Sequence, residues 1–181
     1  MGKVSWLGHS GFEIELTDKI LFIDPWLTGN PLAAMRVSDV KKADIICVTH
    51  DHRDHLGDAV KICKQTGATF VAIHELGVFA EENGVKEVVG INIGGTFNVK
   101  GVSISMVQVF HSSSRGAPTG FVIKAEGKTI YHAGDTGLFG DMRLIGGIHR
   151  PDVALIPMGG YYTKGPREAA EAVKLIKPAV V

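Results

Sequence analysis

A short apolar run, Ala43-Asp44-Ile45-Ile46-Cys47-Val48, leads directly into Thr49-His50-Asp51-His52-Arg53-Asp54-His55, and this junction constrains the fold more tightly than any other stretch. The run has the length and β-branched content of a buried strand, and Leu56-Gly57-Asp58 beyond it is a place where a helix can begin. His50, Asp51, His52, Asp54 and His55 therefore sit on a strand-to-helix turn. Neither a packed strand nor a helix face collects imidazoles and carboxylates at this density for packing. They are the donors that zinc, manganese and iron accept, and no thiolate is close enough in sequence to make a closed structural site. A solvated loop capping the next helix is the plainer alternative, but it gives so many histidines and acids nothing to bind.

Alternation sets how many ions such a turn can serve. In extended backbone His50 and His52 project to the same side, whereas Asp54 and His55 come one bend later and do not readily share their cation. Two adjacent metal ions are the natural reading.

His50-Asp51-His52-Arg53-Asp54-His55 also resembles the H-x-H-x-D-H signature of the metallo-β-lactamase superfamily, most of whose members are dinuclear hydrolases. The likeness extends to Trp6-Leu7-Gly8-His9-Ser10-Gly11, Phe22-Ile23-Asp24-Pro25 and Tyr131-His132-Ala133-Gly134-Asp135-Thr136, and runs from Lys3 to the end. Together these segments look like the metal-dependent hydrolases related to ascorbate-6-phosphate lactonase. The resemblance implies a four-layer αββα sandwich with the metals at the sheet edges.

Composition fits a single globular domain over residues 1–181. The chain is 45% apolar, enough for a full core, and no Pro/Ser/Gly-rich linker divides it. Its 19 acidic and 19 basic residues are interspersed and cancel, so no field favours nucleic acid or an anionic membrane. Apolar runs are too short to span a membrane, and Met1-Gly2-Lys3-Val4-Ser5-Trp6 lacks the shape of a signal peptide. Cys47 and Cys63 read as small core residues, which suits a reducing, cytoplasmic location.

Periodicity gives strands at 3–7, 12–16 and 20–23, a helix from Leu56 to a stop at Gly67, a strand over 68–73 and a short helix over 74–82. Strands at 96–99, 102–107, 120–125 and 128–132 turn at Lys100-Gly101 and Glu126-Gly127, a further strand covers 152–157, and Pro166 opens a last amphipathic helix. The pattern is α/β or α+β.

Two further places offer ligands. His111 follows Val107-Gln108-Val109-Phe110 at a strand end, and the resemblance makes it the third imidazole, with His50 and His52, of one metal. Asp135 follows Ala133-Gly134, and by the same resemblance its carboxylate bridges both ions; a helix N-cap is the other reading of it. His9 matches a position beside the metals, as ligand or proton donor. His132 reads as an orienter of ligands. Asp24 either bonds a ligand imidazole or only turns the chain before Pro25. In the family, Pro178-Ala179-Val180-Val181 begins a strand followed by one more ligand histidine; on that pattern the C-terminal part reads as truncated, or else Asp54, His55 and Asp135 hold the second ion with water or His9.

A divalent cation lowers the pKa of bound water from near 16 to about 7, which makes hydroxide available to attack an acyl or phosphoryl centre. Asp54 and Asp135 would orient the nucleophile and His9 would protonate the leaving group. Arg115 and Lys164, in hydroxyl-rich loops, are candidates to hold a phosphate or carboxylate of the substrate. The expected function is hydrolysis of a phosphodiester or lactone in a small metabolite or nucleotide, with one or two zinc or manganese ions per chain, nickel and iron also being compatible. A catalytically incomplete metal-binding domain is the alternative. A di-iron redox protein fits less well, because such sites place a carboxylate where this chain has His52.

Overall fold

The computed structural model describes residues 2–181, which divide into two compact units: residues 2–92 with 113–117, and residues 93–112 with 118–181. The chain passes twice from the first unit to the second.

The first unit is built on a six-stranded sheet in the order β1-β2-β3-β4-β5-β6. Strands β1 (Lys3–Gly8), β2 (Gly11–Glu15) and β3 (Ile20–Ile23) are antiparallel neighbours, and β4 (Ile45–Cys47), β5 (Thr69–Ile73) and β6 (Val88–Ile91) continue the sheet in parallel. Strands β4 and β5 are buried at every residue, as parallel strands covered on both faces must be, which explains their unbroken apolar sequences. Cys47 and Cys63 are both buried in this core. Ile23 lies opposite Cys47 in parallel register, so Asp24 and the Thr49-His50 pair leave the sheet at the same edge. Ligands of open parallel sheets bind at such carboxyl ends.

The helix expected from Leu56 is two pieces, α1 (Arg53–Leu56) and α2 (Ala59–Thr66). The break is steric. Gly57 has φ +43°, and a Cβ there would lie 2.5 Å from Trp26 Cα, so the chain passes too close to the 25–30 loop for a continuous helix. Asp58 then holds that loop by accepting from the Leu27 and Thr28 amides and the Thr28 hydroxyl at 2.7–3.0 Å. Helix α3 (His74–Glu82) falls where periodicity places it.

The second unit has a five-stranded sheet in the order β11-β10-β9-β8-β7. Strands β7 (Thr96–Val99), β8 (Val102–Gln108), β9 (Thr119–Ala125) and β10 (Lys128–His132) are antiparallel, and β11 (Val153–Leu155) joins β10 in parallel. Positive φ at both residues of Lys100-Gly101 and of Glu126-Gly127 gives the primed turns that match strand twist. Strands β8 and β10 run the same way, so His111 and Asp135 emerge at one edge. Helices α4 (Met142–His149) and α5 (Pro166–Ile176) bury Met142, Ile145, Ala172 and Ile176 together with Tyr131 and Ala154 of the sheet. No helix among the described residues is long and apolar enough to cross a membrane.

Candidate metal centre

In the first unit the 49–55 turn, the end of β3 and the β1–β2 turn bring His9, Asp24, His50, His52, Asp54 and His55 together. His50 and His55 are fully buried, with ring centroids 4.0 Å apart. Hydrogen bonds fix which nitrogen of each ring faces the site. Asp24 accepts from the Thr49 amide at 2.8 Å, the Thr49 hydroxyl at 2.7 Å and His55 Nδ1–H at 2.7 Å. The Thr49 proton is thereby given to Asp24, so the 3.0 Å contact between Thr49 Oγ1 and His50 Nδ1 is donated by the imidazole. In both rings Nε2 keeps its lone pair. Carboxylate-to-imidazole bonding of this kind sets the tautomer and raises the basicity of a metal ligand. Asp24 sits at φ +47° and His9 at φ +52°, left-handed conformations that non-glycine residues adopt where surrounding structure over-determines them.

Two donor groups result. His50 Nε2 and His52 Nδ1 lie 3.0 Å apart, close to the separation of about 3.3 Å between ligands that are 2.0–2.1 Å from a tetrahedral ion. His9, Asp54 and His55 place one ligand atom each within 4.8 Å of one another, and His9 Nε2 is 3.4 Å from Asp54 Oδ2. The Trp6 indole N–H, donated to the His9 carbonyl at 2.7 Å, and edge contacts of the His9 ring with Trp26 and His55 hold that residue in place. An all-nitrogen-and-oxygen donor set suits zinc, manganese, nickel or ferrous iron.

Asp51, though inside the motif, faces elsewhere. It accepts from the Ser113 hydroxyl at 3.0 Å, the Ser114 amide at 2.9 Å and Arg115 Nη1 at 3.0 Å. Burial alone would raise its pKa, but the Ser114 amide, the Ser113 hydroxyl and the Arg115 guanidinium outweigh it and hold the carboxyl below its ordinary range. The Arg115 guanidinium also lies 4.4 Å over the Phe79 ring. Arg115 is thus committed within the protein, a clamp that spacing along the sequence does not reveal because Asp51 and Arg115 are far apart in the chain.

In the second unit His111 Nε2 is 3.8 Å from Asp135 Oδ2, both side chains being largely buried. Thr136 ties their segments together: its hydroxyl accepts the Phe110 amide at 2.9 Å, and the Gly137 amide returns to the Phe110 carbonyl at 3.1 Å. His132 is buried and accepts the Gly134 amide on Nδ1 at 3.2 Å, which shapes the turn into Asp135. Lys164 is buried and gives its amine to the Thr136 carbonyl at 3.1 Å. Burial lowers its pKa to about 8, with the Asp135 charge pulling in the opposite direction. His74 opens α3, and His149 ends α4 with its pKa lowered by burial and then by the Lys124 charge.

Residues 3–181 match the model of the β-lactamase superfamily domain. A UPF0173 metal-dependent hydrolase of Caldivirga maquilingensis is 53% identical over 183 residues, covering 100% of this chain and 80% of that protein. One from Methanopyrus kandleri is 49% identical, over 98% and 81% of the two chains. The solved structure of Igni18, a metallo hydrolase from Ignicoccus hospitalis, superposes with a TM-score of 0.92 at 42% identity, covering 98% of this chain and 79% of that one.

Proposed function

The chain belongs to the metallo-β-lactamase superfamily and is a metal-dependent hydrolase within it, and from that premise we propose that it cleaves a phosphodiester or lactone bond in a small metabolite or nucleotide. The observation that carries the reading is the pair of donor groups, His50 with His52 and His9 with Asp54 and His55, in which the His50 and His55 rings are oriented through Thr49 and Asp24 so that each keeps its Nε2 lone pair.

On this reading His50, His52 and His111 hold one cation, and Asp54, His55 and Asp135 a second, with zinc or manganese as the preferred ions and nickel or iron accepted. Bound there, the cation supplies Lewis acidity and brings the pKa of a coordinated water close to neutrality. Asp54 and Asp135, as carboxylates, accept hydrogen bonds and orient the attacking water. His9, half exposed and within 3.4 Å of Asp54, delivers a proton to the leaving oxygen. Asp24 and Thr49 keep the His50 and His55 rings from rotating, so reactants meet preformed geometry. Arg115 and Lys164 hold Asp51 and the Thr136 carbonyl, and on this reading either can also meet a phosphate or carboxylate of the substrate.

The test is turnover of bis(p-nitrophenyl) phosphate and of δ-valerolactone by metal-loaded protein before and after chelation. Turnover of either that chelation abolishes and manganese or zinc restores supports the proposal. Turnover of neither, with metal bound, overturns it.

A further inference from the structure

Resting on the hydrolase reading, we propose that Tyr161 and Tyr162, on the loop that Lys164 fastens to the segment carrying Asp135, form an aromatic platform for an uncharged planar ring of the substrate. The loop after β11 exposes Met158, Tyr161 and Tyr162, the tyrosines by 87% and 78%. Single apolar side chains on a surface need no explanation, but three large ones within five residues make an exposed patch of the kind that binds a partner or ligand. The two rings stand edge to face, centroids 4.7 Å apart and planes at 89°. That geometry leaves a ring face open to stack against a further ring.

The loop is held rigid. The Gly159 amide donates to Thr163 Oγ1 at 3.2 Å and the Gly160 amide to the Lys164 carbonyl at 3.2 Å, closing a turn at Gly160 with φ +87°. Lys164 anchors its base to the Thr136 carbonyl through both its amide, at 3.3 Å, and its buried amine. Thr136 is the residue after Asp135, so the platform is fastened to the segment that carries this proposed ligand. A second aromatic pair, Phe110 with Phe139 at 5.2 Å, bonds to the same Thr136 through the Phe110 amide. Tyrosine suits this role because its two side-chain torsions cost little entropy to fix. The chemistry selects the ligand: the cation of this loop is buried and given to a backbone carbonyl, so the surface it offers fits a neutral aryl or nucleobase ring and not a phosphate.

The test compares phenylphosphonate with methylphosphonate by calorimetric titration of the native metal-loaded protein, Y161A/Y162A and Y161F/Y162F. The two probes carry the same anionic head and differ only in the ring. The native protein and the phenylalanine pair are expected to bind the phenyl probe about tenfold more tightly than the methyl one, and the ratio falls to about one in the alanine pair. Absence of a phenyl preference in the native protein, or its persistence in the alanine pair, overturns the platform. So does a change in sedimentation from oligomer to monomer in the alanine pair, which would assign the tyrosines to a contact between copies of the chain. Parallel turnover of p-nitrophenyl phenylphosphonate, p-nitrophenyl methylphosphonate and δ-valerolactone separates the two proposals: a phenyl preference in binding with no turnover of any of the three refutes the phosphodiester or lactone reading and leaves the platform standing.

Discussion

Replacing Asp51 by alanine removes three hydrogen bonds at once. The carboxylate is 3% exposed, and its partners are the Ser113 hydroxyl, the Ser114 amide and the Arg115 guanidinium, all at 2.9–3.0 Å. A hydrogen bond to a charged group contributes about 1.5–3 kcal/mol when the partner stays buried and unsatisfied after its loss. Here Ser114 is exposed and the Arg115 side chain is 45% exposed, so both regain water and the sum is well below three full bonds. The expected loss is about 2–3 kcal/mol, which for a chain of this size lowers Tm by roughly 5–10 °C. Arg115→Ala, which leaves the two serine bonds in place, costs about 1 kcal/mol or less. Urea denaturation gives both values, and hydrogen exchange at the Ser114 amide gives a local readout that rises in Asp51→Ala first. A loss under about 0.5 kcal/mol in Asp51→Ala, with Ser114 still protected, refutes the clamp.

Three further outcomes follow from particular contacts. Asp24→Asn keeps the shape of the residue but loses the charge that fixes the His55 tautomer, so metal affinity by competition with a chromogenic chelator drops about 10–100-fold with circular dichroism unchanged; unaltered affinity contradicts the role of Asp24. Gly146→Ala improves helix propensity by about 1 kcal/mol yet places a Cβ 2.3 Å from the Ile176 carbonyl oxygen, so a net destabilisation of about 1–3 kcal/mol is expected in chemical denaturation, and a stabilised variant refutes the close crossing of α4 and α5. The Thr129 amide and then Lys128 hold the Asp152 carboxyl below its ordinary 3.8; this stabilisation is fully present above pH 3.8 and lost as pH falls through the lower folded value, so Asp152→Asn flattens the acid limb of stability against pH, and an unchanged limb contradicts it.

Periodicity alone located the strands of both sheets that alternate or run apolar, and the hairpins at Lys100-Gly101 and Glu126-Gly127, because local turn chemistry dictates them. It did not find α4, whose Gly146-Gly147 pair reads as a breaker; the glycine is there because Ile176 of α5 approaches too closely for a side chain. Strand β6 was equally silent, since Val88-Val89-Gly90-Ile91 takes its conformation from pairing with β5 and not from its own sequence. At the site, the density of His50, His52, Asp54 and His55 was legible, as was a choice for Asp24 between turn and orienter. The destination of Asp51 was not, because ligand-type residues on one turn look alike until a distant Ser113-Ser114-Arg115 segment claims one of them. Lys164 likewise reads as a loop cation by sequence, and only its burial against Thr136 shows otherwise.

Elemental analysis of untagged protein, purified without chelators and loaded with zinc or manganese, tests the central claim directly when the native chain is compared with His50→Ala/His52→Ala. The account predicts one or two equivalents of metal per native chain, and the loss of at least one in the double variant with secondary structure retained. A native chain that binds no metal, or a double variant that keeps all of it, contradicts the account.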